Sequence, residues 1–428
     1  VEAVLSGGLR VIHVPMAYPP CHFLGILLPR GSFADPAGRE GLHSLLTHLL
    51  FKSADGRPSE RLQEAWDRLG AVAEAASEPE YSVLSLEVLE DRLPQALDLF
   101  ARCVEGAVFP DAEIALAKRG MKGGLRVSLT DPDFITEVHA FALAYGEGHP
   151  LAHPATVKSL GRLTGRDLRA GYSDLLRTGR RACFVASPWP AERIVPLLAG
   201  AFSTWRIAPE PHAPWPAMPP ADRPRARLIP RKKMTQVCLH ALLPAPPRPH
   251  PDYLPLKLAM YGLAEGGFSA RLMARLRVEL SSTYGISGAY RGLRDFGYLQ
   301  LSTMVDGALA PKALGLIRSE YARWRTEGPT GEELEEARDY NLKALPLLTD
   351  SPADLGSLLL RNHLHGLPSD YLDRYMERLR AVTLDEVRGA VAALPPFLPF
   401  WAASGAPAAL RACFAGLDAV EERGWEEF

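Results

Sequence analysis

Charge imbalance, paired cysteines and long apolar runs are all missing from this 428-residue chain, and each absence removes a class of protein. Lys and Arg number 48 against 50 Asp and Glu, so the net charge of -2 offers no pull toward nucleic acid or an anionic membrane. The five cysteines, Cys21, Cys103, Cys183, Cys238 and Cys413, are odd in number, far apart and without a Cys-x-x-Cys spacing. They read as small core residues, not as a disulfide framework or a zinc ribbon. No apolar run reaches the roughly 20 residues that a helix needs to span a bilayer. The chain begins at Val1 without a Met, ahead of a strand-like run, so a trimmed leader is compatible with it. The expected compartment is the cytoplasm, with the periplasm as the alternative.

What is present is apolar mass. At 47% hydrophobic residues the chain can bury several cores, and its length predicts about two to four domains. Short segments recur in order at offsets near half the chain: Ser59-Glu-Arg-Leu62 as Ser269-Ala-Arg-Leu272, Pro94-Gln-Ala-Leu-Asp-Leu99 as Pro311-Lys-Ala-Leu-Gly-Leu316, and Leu129-Thr-Asp-Pro132 as Leu348-Thr-Asp-Ser-Pro352. Together they predict an internal duplication. The seam falls at Ala208 to Arg227, where clustered prolines make a semi-rigid linker. The expected domains are therefore 1–207 and 228–428, joined by 208–227. Strand-like runs (Phe23 to Leu28, Tyr81 to Val88, Val237 to Leu243, Gly297 to Met304) and helix-period runs (Glu60 to Leu69, Ala270 to Glu279, Glu332 to Leu345) do not alternate strictly. The fold class expected is α+β: two homologous sandwiches, each a mostly antiparallel sheet covered by helices.

The segment Gly41-Leu-His-Ser-Leu-Leu-Thr-His-Leu-Leu-Phe-Lys52 has the shape of a zinc-protease helix without most of its zinc chemistry. Such a helix needs two His four residues apart on one face, with a Glu just before the second as general base. Those positions hold Ser44, Thr47 and His48. His43 cannot replace the lost ligand, because at about 100° per residue it points some 140° away from His48. Ser and Thr are poor zinc ligands beside thiolate, imidazole and carboxylate. The plain reading makes His48 a partly buried polar residue satisfied by a hydrogen bond.

Arg30-Gly-Ser32, Asp35, Gly41-Leu42, His48 and Leu50-Phe-Lys52 resemble the segment around the inverted His-x-x-Glu-His motif of the M16 metallopeptidases. Phe109-Pro110, Asp131-Pro132, His149-Pro150 and Gly266-Gly-Phe-Ser-Ala-Arg-Leu272 continue the resemblance through most of the chain. The length is similar to the small bacterial type, M16B, in which two such chains form one working unit. The resemblance places the third zinc ligand, a Glu, at Gly123 or Gly124, where no side chain can bind a metal. Two Gly inside a helix cost about 1 kcal/mol each relative to Ala, which predicts close packing or a break there.

The second half keeps what the first has lost. Leu276-Arg-Val-Glu-Leu-Ser-Ser-Thr-Tyr-Gly285 resembles the family's Arg/Tyr pair. The resemblance implies that Tyr284 donates to the developing oxyanion while Arg277 holds a substrate carbonyl, beside a Gly-rich substrate segment at Gly266 and Gly267. The chain is thus expected to be the subunit without zinc of a heterodimeric metallopeptidase acting on short or unfolded peptides. It would bind no cofactor itself and would pair with a zinc-bearing M16B chain, while the isolated chain can also pair with itself. The alternatives are a purely structural or assembly subunit and a stand-alone peptide-binding protein. The basic run Arg223 to Lys233 reads as a solvated linker face, His149 and His153 as loop, and His363 and His365 as a core contact.

Overall fold

Period-two burial marks the strands and period-3.6 burial the helices that cover them. The computed structural model describes residues 1–17, 20–54, 58–177, 179–206, 213–280, 285–368 and 370–425. In chain order the first elements are β1 (Glu2–Val4), β2 (Arg10–Pro15), β3 (Cys21–Leu28), α1 (Leu42–Leu49), α2 (Ser59–Leu69), β4 (Ala71–Ser77) and β5 (Ser82–Leu89). Then come α3 (Leu93–Glu105), α4 (Asp111–Ser128), α5 (Pro132–Tyr145), α6 (Val157–Arg162), α7 (Gly165–Arg177), β6 (Ala182–Ser187) and α8 (Ala191–Ala201). The later residues form β7 (Arg225–Pro230), β8 (Gln236–Ala245), α9 (Tyr253–Met260), α10 (Arg271–Leu280), β9 (Ile286–Gly292), β10 (Gly297–Asp306) and α11 (Ala310–Glu327). The chain closes with α12 (Gly331–Leu348), α13 (Pro352–Leu364), α14 (Tyr371–Ala381), α15 (Leu384–Ala393), β11 (Phe400–Gly405), α16 (Pro407–Cys413) and β12 (Val420–Glu422).

The strands make two six-stranded sheets, ordered β1-β2-β6-β3-β5-β4 and β12-β7-β11-β8-β10-β9. With the outermost β1 and β12 set aside, the two orders are the same, and so are the directions. β2 runs parallel to β6 and β7 to β11, while the other inner pairs are antiparallel. Both halves of the chain are α+β sandwiches, as the segment repeats predict.

In the first sheet β5 alternates, with Leu84, Leu86 and Val88 turned into a core shared with α1, α3 and α7. β3 is buried on both faces: Leu24, Ile26 and Leu28 join that core, while Phe23 and Leu27 pack with Leu360 and Leu364 of α13. The second sheet repeats this. Leu239, Ala241 and Leu243 of β8 enter the core with α9, α10 and α11, whereas Leu242 packs with Ile135 and Phe141 of α5. Gly356 lets α13 lie this close, since a Cβ there would come within 2.6 Å of the Phe184 ring.

The helix on the second face of each sheet therefore comes from the other half of the sequence. One compact unit contains Val1–Arg126, Pro154–Ala213 and Leu347–Ser369, and the other contains Val127–His153, Pro214–Pro346 and Asp370–Phe428. The expected boundaries 1–207, 208–227 and 228–428 follow the chain, and in space two segments are exchanged across them. The expected linker also runs too far, because Arg225 to Arg227 already belong to β7. Arg227 is buried, and its Nε donates 2.6 Å to Oε1 of Glu421, so the basic run is not wholly a solvated face.

Candidate functional site

α1 starts from a left-handed Gly41, φ 91°, and is capped from outside by Asp35. Asp35 Oδ2 accepts from the Gly41 amide at 2.7 Å, and Oδ1 accepts from the His43 amide at 2.9 Å. Oδ1 also lies 2.6 Å from His43 Nδ1, so one carboxylate closes the helix start and fixes the buried ring. The side chains on this helix then sort by face. Thr47 is buried, and its hydroxyl donates to the carbonyls of His43 at 2.9 Å and Ser44 at 3.2 Å, so the position of the general base is spent inside the helix.

His48 is exposed and makes no hydrogen bond among the described residues. The expectation of a satisfied, partly buried His48 is corrected: the imidazole held by a hydrogen bond is His43, through Nδ1. Desolvation by the surrounding protein, then the charge of Lys52, lowers the His48 pKa, which keeps the ring neutral at pH 7.

Gly123 and Gly124 lie in α4, which runs unbroken over Asp111–Ser128. Both are exposed, and a Cβ added at either would meet nothing within 4 Å. Neither close packing nor a break accounts for them, and that expectation is also corrected. Of Ser44, Thr47, His48, Gly123 and Gly124, only His48 offers a zinc-ligating side chain, so this set does not fit the family's zinc.

In the other unit the residues expected on the substrate side lie around α10. After α9 the helix widens to a π-turn over Tyr261–Glu265, a geometry frequent at functional sites. The chain then turns through Gly266 and a left-handed Gly267, φ 63°. Ser269 Oγ ties the turn to the Gly266 carbonyl at 3.0 Å and to Glu336 Oε1 at 2.7 Å. Three arginines follow on α10. Arg271 is held by Glu333, and Arg275 NH1 donates 2.6 Å to the fully buried Glu320. Arg277 is exposed and has no carboxylate partner among the described residues; its guanidinium lies 4.7 Å from the ring centre of Phe268.

The structure thus brings Arg277 to the Gly266–Gly267 turn through Phe268. Tyr284 falls in 281–284, outside the described residues. Phe268, 74% exposed in a Gly-Gly-Phe-Ser turn, is the residue that sequence reasoning passed over. An aromatic ring left in water beside two glycines was the available signal.

The chain is similar to known proteins along most of its length. Residues 20–128 match the profile of Insulinase (Peptidase family M16), and residues 162–341 match that of the Peptidase M16 inactive domain. The "Uncharacterized zinc protease YmxG" of Bacillus subtilis (strain 168) is 22% identical over 368 residues, covering 86% of this chain and 88% of that protein. Subunit 1 of the mitochondrial cytochrome b-c1 complex of Rattus norvegicus is 24% identical over 204 residues, covering 47% of this chain and 42% of that protein. Among solved structures, the peptidase M16 inactive domain from Pseudomonas fluorescens matches with a TM-score of 0.85 at 22% identity, covering 95% of this chain and 98% of that one. With successive M16 profiles along its length and the M16 arrangement of two α+β domains, the chain belongs to the M16 peptidase family.

Proposed function

We propose that this chain is the subunit without zinc of a two-chain M16 peptidase and that it supplies Arg277 and Tyr284 to an active site whose zinc and base sit on a partner. The observation that carries this reading is an asymmetry between the two units. The α1 and α4 positions hold one imidazole where a zinc site needs three ligands and a base, while Arg277 stays exposed beside a Gly turn with no carboxylate on it among the described residues. An exposed arginine, next to two that are paired with glutamates, is suited to a transient anionic or carbonyl partner. Peptide hydrolysis builds charge on the carbonyl oxygen, and a Tyr hydroxyl aimed at it lowers the barrier only in the transition state. The substrate is an extended peptide held by adding a strand to a sheet edge.

The test is to mix this chain with a zinc-bearing M16 chain from the same genome and measure peptide hydrolysis. Tyr284→Phe is expected to lower kcat at least about tenfold, roughly 1.4 kcal/mol of transition-state stabilisation, with circular dichroism unchanged. Arg277→Ala is expected to raise KM as well. A loss smaller than about tenfold for Tyr284→Phe removes the catalytic role.

A second reading is favoured by the 24% identity to a cytochrome b-c1 complex subunit. In it the chain is a structural or assembly subunit, and both substitutions leave the complex's activity unchanged.

A further inference from the structure

Where α5 lies on the second sheet, polar side chains interrupt an otherwise apolar contact. Cys238 and His240 are two apart on β8, so they share one face of the sheet, and both are buried. α5 brings Asp133 against them. Its Oδ1 lies 2.9 Å from His240 Nε2 and 3.6 Å from Cys238 Sγ. One donor atom from each of the three residues lies within 4.8 Å of the other two. We propose that Asp133, Cys238 and His240 bind one divalent cation of the zinc class, at a site separate from the α1 motif and independent of the functional reading above.

The donor chemistry selects the ion. Thiolate, imidazole and carboxylate are the three ligand types zinc takes, and calcium or magnesium would want oxygen alone. With bonds of about 2.0–2.3 Å, tetrahedral donors sit roughly 3.3–3.8 Å apart. The thiol and carboxylate already stand at 3.6 Å, and the His–carboxylate pair opens by about half an ångström if Asp133 changes rotamer. That side chain is 58% exposed, which leaves it room to turn.

A neutral imidazole with one thiolate and one carboxylate cancels the ion's charge, which limits the cost of placing it beside a buried strand. The positive end of α5 opposes a cation, and the carboxylates of Asp131 at its N-cap and Asp133 in its first turn offset this. Gln300 Nε2 donates to His240 Nδ1 at 3.2 Å and to Glu137 Oε1 at 2.8 Å, so the ring is already oriented from behind. On binding, the imidazole carries its proton at Nδ1 instead of Nε2 and Cys238 gives its proton to solvent, while the Gln300 amide stays on Glu137 and swings off Nδ1, because turning its oxygen there would set two acceptors against each other.

The experiment is a titration of the chelator-treated full chain with Co2+ and then Zn2+. One Co2+ per chain is expected, with a thiolate-to-cobalt band in the near ultraviolet that Zn2+ abolishes. Cys238→Ser is expected to remove the band and weaken Zn2+ binding at least tenfold. Asp133→Asn, an exposed change that leaves the core intact, is also expected to weaken it at least tenfold, and His48→Ala is expected to leave it unchanged. Zn2+ should raise the melting temperature of the wild type but not of Cys238→Ser. Absence of stoichiometric Co2+, a Cys238→Ser protein that binds as tightly, or binding lost in His48→Ala overturns the proposal.

Discussion

His43 and His48 lie five residues apart on one helix and meet opposite surroundings. His43 is clamped by Asp35 in the core side of α1, whereas His48 faces water with a lowered pKa. Their angular separation was legible from the sequence, but which of them was inside was not, because that depends on where the rest of the unit packs. The same distinction applies to Gly123 and Gly124. Their position in a helix was readable, while their exposure was not. Since a Cβ meets nothing at either site, Gly123→Ala and Gly124→Ala are each expected to stabilise the protein by about 0.5–1 kcal/mol, seen as a higher urea midpoint. A lower midpoint would mean that glycine is needed at these positions for a reason other than space.

At the scale of elements, α1 keeps the form of a zinc-binding helix because its geometry is held by residues other than ligands. Asp35 accepts two backbone amides at its start and holds the His43 ring. Asp35→Ala removes a cap and leaves buried donors unpaired, so a loss of about 2–4 kcal/mol is expected in thermal or urea unfolding. Asp35→Asn keeps an acceptor and should cost less; equal losses would argue that charge, not hydrogen bonding, holds the helix start.

α10 shows the complementary case. Arg271 and Arg275 are fixed to buried or half-buried glutamates and shape the element, which leaves Arg277 available. Spacing alone makes all three equivalent basic residues of one helix, and only the family resemblance sets Arg277 apart. Only the placement of Glu333 and Glu320 on neighbouring helices separated structural arginines from the one facing outward.

At the scale of the whole molecule, each unit carries a histidine whose protonation the fold resists. His149, 2% exposed and stacked on Tyr145, has its pKa lowered to about 4 by burial, against a smaller opposing effect of a backbone hydrogen bond at Pro216. It lies in a loop, as expected from the sequence, but is buried there. Burial, then the charges of Arg10 and Arg180, lowers His363 to about 4 in the other unit.

An unfolded chain takes up these protons near pH 6.5, and the folded one resists them until about pH 4. Stability is therefore full above about 6.5 and falls as pH drops toward 4. The His149 contribution alone is on the order of 2 kcal/mol at pH 5. Urea midpoints at pH 7 and pH 5 check this: the fall should be smaller in His149→Gln, and no fall in the wild type would refute it.

By itself the sequence determined the two-sandwich class, the strand and helix runs, the M16 resemblance and the loss of zinc ligands. These depend on residue type and local spacing, which one chain displays. Tertiary structure alone decided that α5 and α13 cover each other's half, because a helix with an apolar stripe carries no label for the sheet it will meet. It also decided which of two histidines is buried, which of three arginines is free, and that Cys238, His240 and Asp133 meet across more than a hundred residues of sequence. Those outcomes follow from burial and pairing between segments distant in the chain, and spacing along the chain does not encode them.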